Sequence, residues 1–181
     1  MFDIDQFVAD CRRDNTDHTT HKPIAELLER AMADPSAILK SIGEPKRAGV
    51  QALYRSEKLT VLNVIWGRKM TLMPHNHEMW AVIGIYTGRE DNVFWRRIQD
   101  EDGETIERAS AKTLDVGDTK PLGHDIIHSV TNPLNQLTGA IHVYGGDFFA
   151  TPRSEWDPHS LREAPYDVDK NMRLFEASND R

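Results

Sequence analysis

The sequence predicts an all-β barrel or sandwich preceded by an N-terminal helical segment, and three observations carry that reading. From about residue 50 onward, seven short apolar or alternating runs are each bounded by turn residues, the pattern of an antiparallel sandwich or barrel. Strand and helix patterns do not alternate as a parallel sheet requires. Helical spacing is confined to the first 45 or so residues and to one stretch near the end.

Phe2, Ile4, Phe7 and Val8 recur at helical spacing and predict a first helix. Pro23, suited to a first helical turn, opens a second helix whose apolar stripe runs to Met32, and a third, short helix follows Pro35. Between the first two, residues 14–21 are polar and aperiodic, so His18 and His21 are expected in a solvated connector. Strands are expected over 50–54, 59–66, 80–86, 93–98, 104–110, 126–131 and 138–144. Gly67, Gly88, Gly103 and Gly117, with neighbouring Asx residues, supply the turns. The charge run Arg89-Glu90-Asp91 is expected at a solvated hairpin tip. Trp66, Trp80, Phe94 and Trp95 are expected to fill the core, with one or two of them lining a pocket. After Gly145-Gly146 the strand period is lost; a short helix is expected over 168–177, and Ser178 to Arg181 are expected to fray. The expected organisation is a helical cap over 1–48, the barrel over 49–150 and a C-terminal extension over 151–181.

With 181 residues, 39% hydrophobic and 28% charged, the chain suits one soluble domain with a core of useful size. The 22 basic and 29 acidic residues give a formal charge of −7 without a basic cluster, which argues against nucleic acid as a partner. An anionic ligand would then need a local arginine. No apolar run approaches the roughly 20 residues of a membrane helix, and the start lacks the basic and apolar stretches of a signal peptide. A cytoplasmic protein without a membrane partner is expected, as monomer or homodimer. The lone Cys11 has no internal disulfide partner, in keeping with a reducing compartment, and should pack in a helix.

The chemistry concentrates at Pro74-His75-Asn76-His77. Side chains at i and i+2 of an extended segment point the same way, and paired imidazoles suit iron, copper, zinc or nickel better than calcium or magnesium. Trp66 and residues 72–74 before the pair, and 79–85 after it, predict a buried surround. A third ligand is expected from Gly123-His124-Asp125-Ile126-Ile127-His128-Ser129, where His124 and His128 share one strand face.

Gly67, Pro74-His75-Asn76-His77, Gly84 and Gly88 resemble the first motif of the cupin superfamily, and Asp125-Ile126-Ile127-His128-Ser129-Val130 with Asn132 resembles the second. Residues 75–86 and Ile141-His142-Val143-Tyr144-Gly145 are most similar to the thiol dioxygenases, that is, cysteine dioxygenase and 3-mercaptopropionate dioxygenase. The resemblance spans roughly residues 50 to 153. It implies a cupin double-stranded β-helix, a jelly-roll barrel, holding one mononuclear Fe(II) through His75, His77 and His128, with His124 near the mouth. The implied reaction converts a small thiol carboxylate to its sulfinate with O2. A general cupin carries a glutamate ligand four or five residues after the second histidine; here Ala81 and Val82 stand there. Three neutral imidazoles leave a +2 charge uncompensated and three coordination positions open, which an anionic thiolate would suit. Glu78 faces the other side of the strand.

His142 and Tyr144 match two members of the family's serine-histidine-tyrosine triad and are the implied catalytic pair, with Ala140 in place of the serine. The plainer reading is an aromatic pair in the core. For the substrate carboxylate there are two candidates: Arg153, nine residues after Tyr144 as in 3-mercaptopropionate dioxygenases, and Arg55 on an early strand as in cysteine dioxygenases. The cysteine–tyrosine crosslink of animal cysteine dioxygenases has no counterpart, because Val82 occupies the cysteine's position. The rivals are another three-histidine cupin dioxygenase that cleaves a carbon–carbon bond of a β-diketone type, and a metal-binding cupin without turnover.

Overall fold

The computed structural model describes residues 2–17, 19–101 and 103–180. Three helices come first: α1 (Ile4–Asp14), α2 (Lys22–Met32) and α3 (Pro35–Ile42). Asp3 caps α1 by accepting the Gln6 N–H at 2.8 Å, and Asp34 caps α3 by accepting that of Ala37 at 3.1 Å. His21 precedes α2 as its cap residue without a side-chain hydrogen bond, and His18 lies outside the described residues.

Eleven strands follow among the described residues: β1 (Gly49–Arg55), β2 (Thr60–Trp66), β3 (Thr71–His75), β4 (Ala81–Thr87), β5 (Arg89–Asp100), β6 (Gly103–Asp115), β7 (Thr119–Leu122), β8 (Ile127–Thr131), β9 (Thr138–Tyr144), β10 (Ser154–Trp156) and β11 (Glu163–Pro165), then α4 (Val168–Ala177). They form two sheets, β1-β2-β9-β4-β7 and β11-β10-β3-β8-β5-β6, with antiparallel pairing throughout. The orders β2-β9-β4-β7 and β3-β8-β5-β6 interleave two Greek keys across facing sheets, which is the jelly roll, or double-stranded β-helix.

The first sheet is covered on both faces. Every residue of β2 and β9 is buried, which is why these strands read as near-continuous apolar runs. Leu62, Val64 and Trp66 of β2 with Ala140 and Tyr144 of β9 face the second sheet. Val61, Ile65, Ile141 and Val143 face the helices, where Phe7, Cys11, Ile24 and Leu28 meet them. Burial pushes the Cys11 thiol up to about 12. Val82 belongs to this helix-side layer, whereas Tyr144 faces the barrel interior, so the two could not be bridged even if residue 82 were a cysteine. Among the described residues no helix is long and apolar enough to cross a membrane.

Gly84 explains how closely α2 approaches β4. A Cβ there would lie 2.8 Å from Met32 Cγ and 3.0 Å from Leu28 Cδ2. Gly84→Val should therefore cost about 1–3 kcal/mol through overpacking, read as a lower urea midpoint. Its metal stoichiometry should be unchanged, because residue 84 faces away from the barrel interior.

Two expectations fail. Gly88 turns the chain at φ +79, so β5 begins at Arg89 and the expected solvated tip is strand; Glu90 is fully buried. The C-terminal residues do not fray through Asp180. Ser178 to Asp180 form a single 3-10 turn, and Asn179 clasps Ala48, accepting its N–H at 2.7 Å and donating to its carbonyl at 3.2 Å. Arg181 lies outside the described residues. The helix expected over 168–177 is α4, capped by Asp167. Strands β3, β7, β10 and β11 go beyond the runs read from the sequence.

Candidate metal centre

His75 ends β3, and His128 of β8 is its direct cross-strand partner. Residues opposite one another on antiparallel strands present their side chains to the same face, so sheet register alone brings these two imidazoles together. His77 follows two residues later, where the chain leaves the sheet; Glu78 takes φ +52 and turns it. The ring centroids are 5.1 Å (His75–His77), 4.7 Å (His75–His128) and 5.0 Å (His77–His128) apart. One nitrogen from each lies within 4.8 Å of the others, and all three residues are buried.

The hydrogen bonds orient these rings for a cation. His75 Nδ1 lies 2.9 Å from the Met73 carbonyl and His128 Nδ1 2.8 Å from Asn92 Oδ1. Both oxygens accept only, so Nδ1 carries the proton and Nε2 presents a bare lone pair. His128 Nε2 and His77 Nε2 face each other at 3.4 Å. Two nitrogens each about 2.1 Å from one ion stand about 3.0–3.4 Å apart. The donor set therefore fits a transition metal held by three neutral imidazoles.

Burial is the main cause of the low basicity of these rings. It depresses His75 to about 4, with the Arg153 charge acting the same way. His77 and His128 fall well below the usual histidine value, by burial first and then by their neighbouring imidazoles. The unfolded chain's histidines titrate near 6.5 and so bind more protons than the folded ones as pH falls below that value. The metal-free protein should thus lose up to about 1.4 kcal/mol per pH unit per histidine between about pH 6.5 and pH 4, with no such dependence at higher pH. Thermal midpoints of chelator-treated protein at about pH 7.5 and pH 5 check this.

Above the triad lies a cavity of about 30 Å³, room for about two waters. Trp66, Tyr144, Phe148, Tyr166, Met172 and Phe175 are among its lining residues. Tyr144 meets His77 edge-on at 5.1 Å and lies 2.9 Å, through Oη, from His142 Nδ1. Burial raises the Tyr144 phenol above the ordinary tyrosine value.

The two arginines sit in different surroundings. Arg55 is half exposed and gives Nε and one Nη to Asp147 at 2.9 and 3.0 Å; neither it nor Arg153 is among the residues that line the cavity. Arg153 is buried, stacked between Phe148 (4.4 Å) and Tyr166 (4.0 Å), both cavity residues. Its Nη1 donates to the carbonyls of Phe148 and Thr151. Among the described residues its Nε and Nη2 make no well-aligned hydrogen bond, although the guanidinium lies close enough to the Tyr166 hydroxyl to oppose the rise that burial gives that phenol. His124 is mostly exposed, pairs with Asp125 at 2.8 Å and lies 3.9 Å from Glu78; it is not one of the three clustered imidazoles. Glu78 is engaged by the Asn76 amide.

Of the expected aromatic core, Trp66 lines the cavity and Phe94 stacks on His128 at 6.3 Å. Trp80 packs on the helix side, and Trp95 donates to Ser129 Oγ at 3.0 Å. The residues that sequence reasoning missed are Asn92, Glu90 and Tyr166. Counting back by twos from Phe94 would have found the first two, because 90, 92 and 94 share the inward face of β5. Tyr166 stands out only as an aromatic in a polar tail.

No family model matches the chain. Solved structures similar to it include an RmlC-like cupin family protein from Methanocaldococcus jannaschii, 12% identical, with TM-score 0.47 over 57% of this chain and 84% of that one. A cupin superfamily protein from Desulfitobacterium hafniense is 13% identical, with TM-score 0.44 over 57% and 84%. A recombinant oxalate oxidase in complex with glycolate is 12% identical, with TM-score 0.40 over 49% and 42%. The strand order of β2 to β9 is that of a double-stranded β-helix. The barrel has the cupin fold. In this cupin barrel the buried histidine triad occupies the interior between the two sheets, a site able to hold a metal.

Proposed function

We propose that the protein is a mononuclear iron(II) dioxygenase that converts a small thiol carboxylate, of the cysteine or 3-mercaptopropionate type, to its sulfinate. The balance is R–SH + O2 → R–SO2H: both oxygen atoms go to sulfur, which loses the four electrons that dioxygen gains. The observation that carries the reading is a three-imidazole donor set with no carboxylate joining it among the described residues, beside a buried arginine whose Nε and Nη2 make no well-aligned hydrogen bond to them. A dianionic ligand suits both features.

Iron(II), when bound, would supply the open positions at which thiolate and dioxygen meet. His75, His77 and His128 would hold it. Arg153 would fix the substrate carboxylate through Nε and Nη2, a geometry that guanidinium satisfies better than ammonium. Its stacking between Phe148 and Tyr166 fixes the plane of that fork before substrate arrives, so little orientation is lost on binding. Met172 and Phe175 of α4 would close the cavity against bulk water, and Tyr144 would contact the reacting ligand.

Dioxygen uptake by iron-loaded protein, tested against cysteine, 3-mercaptopropionate, cysteamine and acetylacetone, separates the readings. Sulfinate formation from a thiol carboxylate supports the proposal. Cleavage of acetylacetone alone would favour carbon–carbon chemistry, and flat traces throughout would favour a cupin that binds metal without turnover.

A further inference from the structure

Three buried polar side chains run in series along the barrel interior. Glu90 of β5 is 0% exposed, and His142 and Tyr144 of β9 are each 3% exposed. Glu90 Oε1 accepts the Trp66 indole N–H at 2.5 Å and lies 3.4 Å from His142 Nε2. At the far side of that ring, His142 Nδ1 lies 2.9 Å from Tyr144 Oη. Among the described residues, Glu90 Oε2 has no hydrogen-bond partner. Two residues before His142 on the same strand face is Ala140, wholly buried, with only a methyl group to offer.

Glu90 Oε1 accepts the indole N–H hydrogen bond, and a carboxylate has no proton to give, so the imidazole nitrogen facing it is the protonated one. The other nitrogen is then an acceptor, and the tyrosine hydroxyl must donate to it. We infer that Glu90 is a positioning residue: it holds His142 as the Nε2–H tautomer, so that Tyr144 donates its proton to Nδ1 and turns its oxygen lone pairs toward the cavity. Tyr144 therefore meets an entering thiol or water as an acceptor. Glu90 reaches the imidazole from the facing sheet, in place of a group on β9 itself. The catalytic consequence rests on the dioxygenase reading; the tautomer does not.

The test is long-range proton–nitrogen correlation NMR on metal-free protein labelled with 15N-histidine, with His142 assigned by its disappearance in His142→Gln. The expected spectrum shows Nε2 protonated and Nδ1 bare. Protonation at Nδ1, alone or together with Nε2, overturns the inference, and this result needs no variant of Glu90. Glu90→Leu should convert His142 to a mixture of tautomers or to Nδ1–H, whereas Glu90→Gln, which keeps an acceptor oxygen, should retain Nε2–H. A folded Glu90→Leu with an unchanged nitrogen spectrum would show that Glu90 does not set the tautomer. In the iron-loaded enzyme Glu90→Leu should lower kcat about 10–100-fold with KM within about twofold, and Glu90→Gln should recover most of the loss. If no thiol is turned over by the wild type, the dioxygenase reading fails and the nitrogen spectrum alone decides this one.

Discussion

His77→Ala is expected to give a folded protein that no longer takes up metal. Two donors remain, and wild-type stoichiometric binding should fall to a trace, with thiol-dependent dioxygen uptake lowered by at least about 100-fold. The stability of the metal-free protein should change far less than in an ordinary core truncation. His77 Nδ1 has no hydrogen-bond partner among the described residues, and His77 Nε2 faces His128 Nε2 at 3.4 Å. Removing the ring relieves a buried polar group that costs about 1–3 kcal/mol to leave unsatisfied, against a cavity penalty of similar size. The metal-free melting temperature should thus change by only a few degrees, while the rise on adding Fe(II) disappears. A large loss of metal-free stability with metal uptake intact would mean that the ring serves packing instead.

Arg153→Met should separate stability from substrate recognition. In the free protein, Arg153 is a buried cation whose Nε and Nη2 make no well-aligned hydrogen bond to the described residues. Replacing such a charge with an apolar side chain of similar reach is commonly neutral or stabilising by about 1–4 kcal/mol. The lost stacking on Phe148 and Tyr166 and the bonds to two carbonyls put the expectation near the low end. Toward a thiol carboxylate, kcat/KM should fall about 30–1000-fold, the equivalent of about 2–4 kcal/mol for a desolvated charge pair, mostly through KM. Cysteamine, which has no carboxylate, should lose far less. Equal losses on both substrates would assign Arg153 to scaffolding.

The histidine triad was legible because two of its members are close in the chain and the third sits in a recognisable motif. His75 and His77 are two residues apart on extended backbone, and His128 sits in a motif whose strand pairs with β3. The choice of His128 over His124 came from the motif and not from periodicity; in the structure His124 stays in the turn before β8, where it pairs with Asp125. Glu90 and Asn92 were passed over for a physical reason, although the period of β5 places them inward. Polar residues are read as outward-facing, and that rule breaks down inside sites, where imidazole and indole N–H groups give a carboxylate or amide its partners. The run Arg89-Glu90-Asp91 beside Gly88 looked like a turn, yet the glycine makes the turn unaided. The spacing from Tyr144 favours Arg153 over Arg55 in the sequence; what the chain could not show is Asp147, 92 residues from Arg55 and bonded to it. The ordered tail was equally hidden: Asn179 meets Ala48 across 131 residues, and no local pattern reports such a pairing.

The cavity has a floor and a roof of different origin. The floor is set by β3, β8 and β9, where a one-residue slip would turn every inward group outward. The roof is Tyr166, Met172 and Phe175, carried on a short tail that is fastened through Asn179. The imidazoles and the apolar lining that α4 adds thus come from separate stretches of one chain, and the second can change its shape by substitution at Met172 or Phe175 while the first keeps its sheet register.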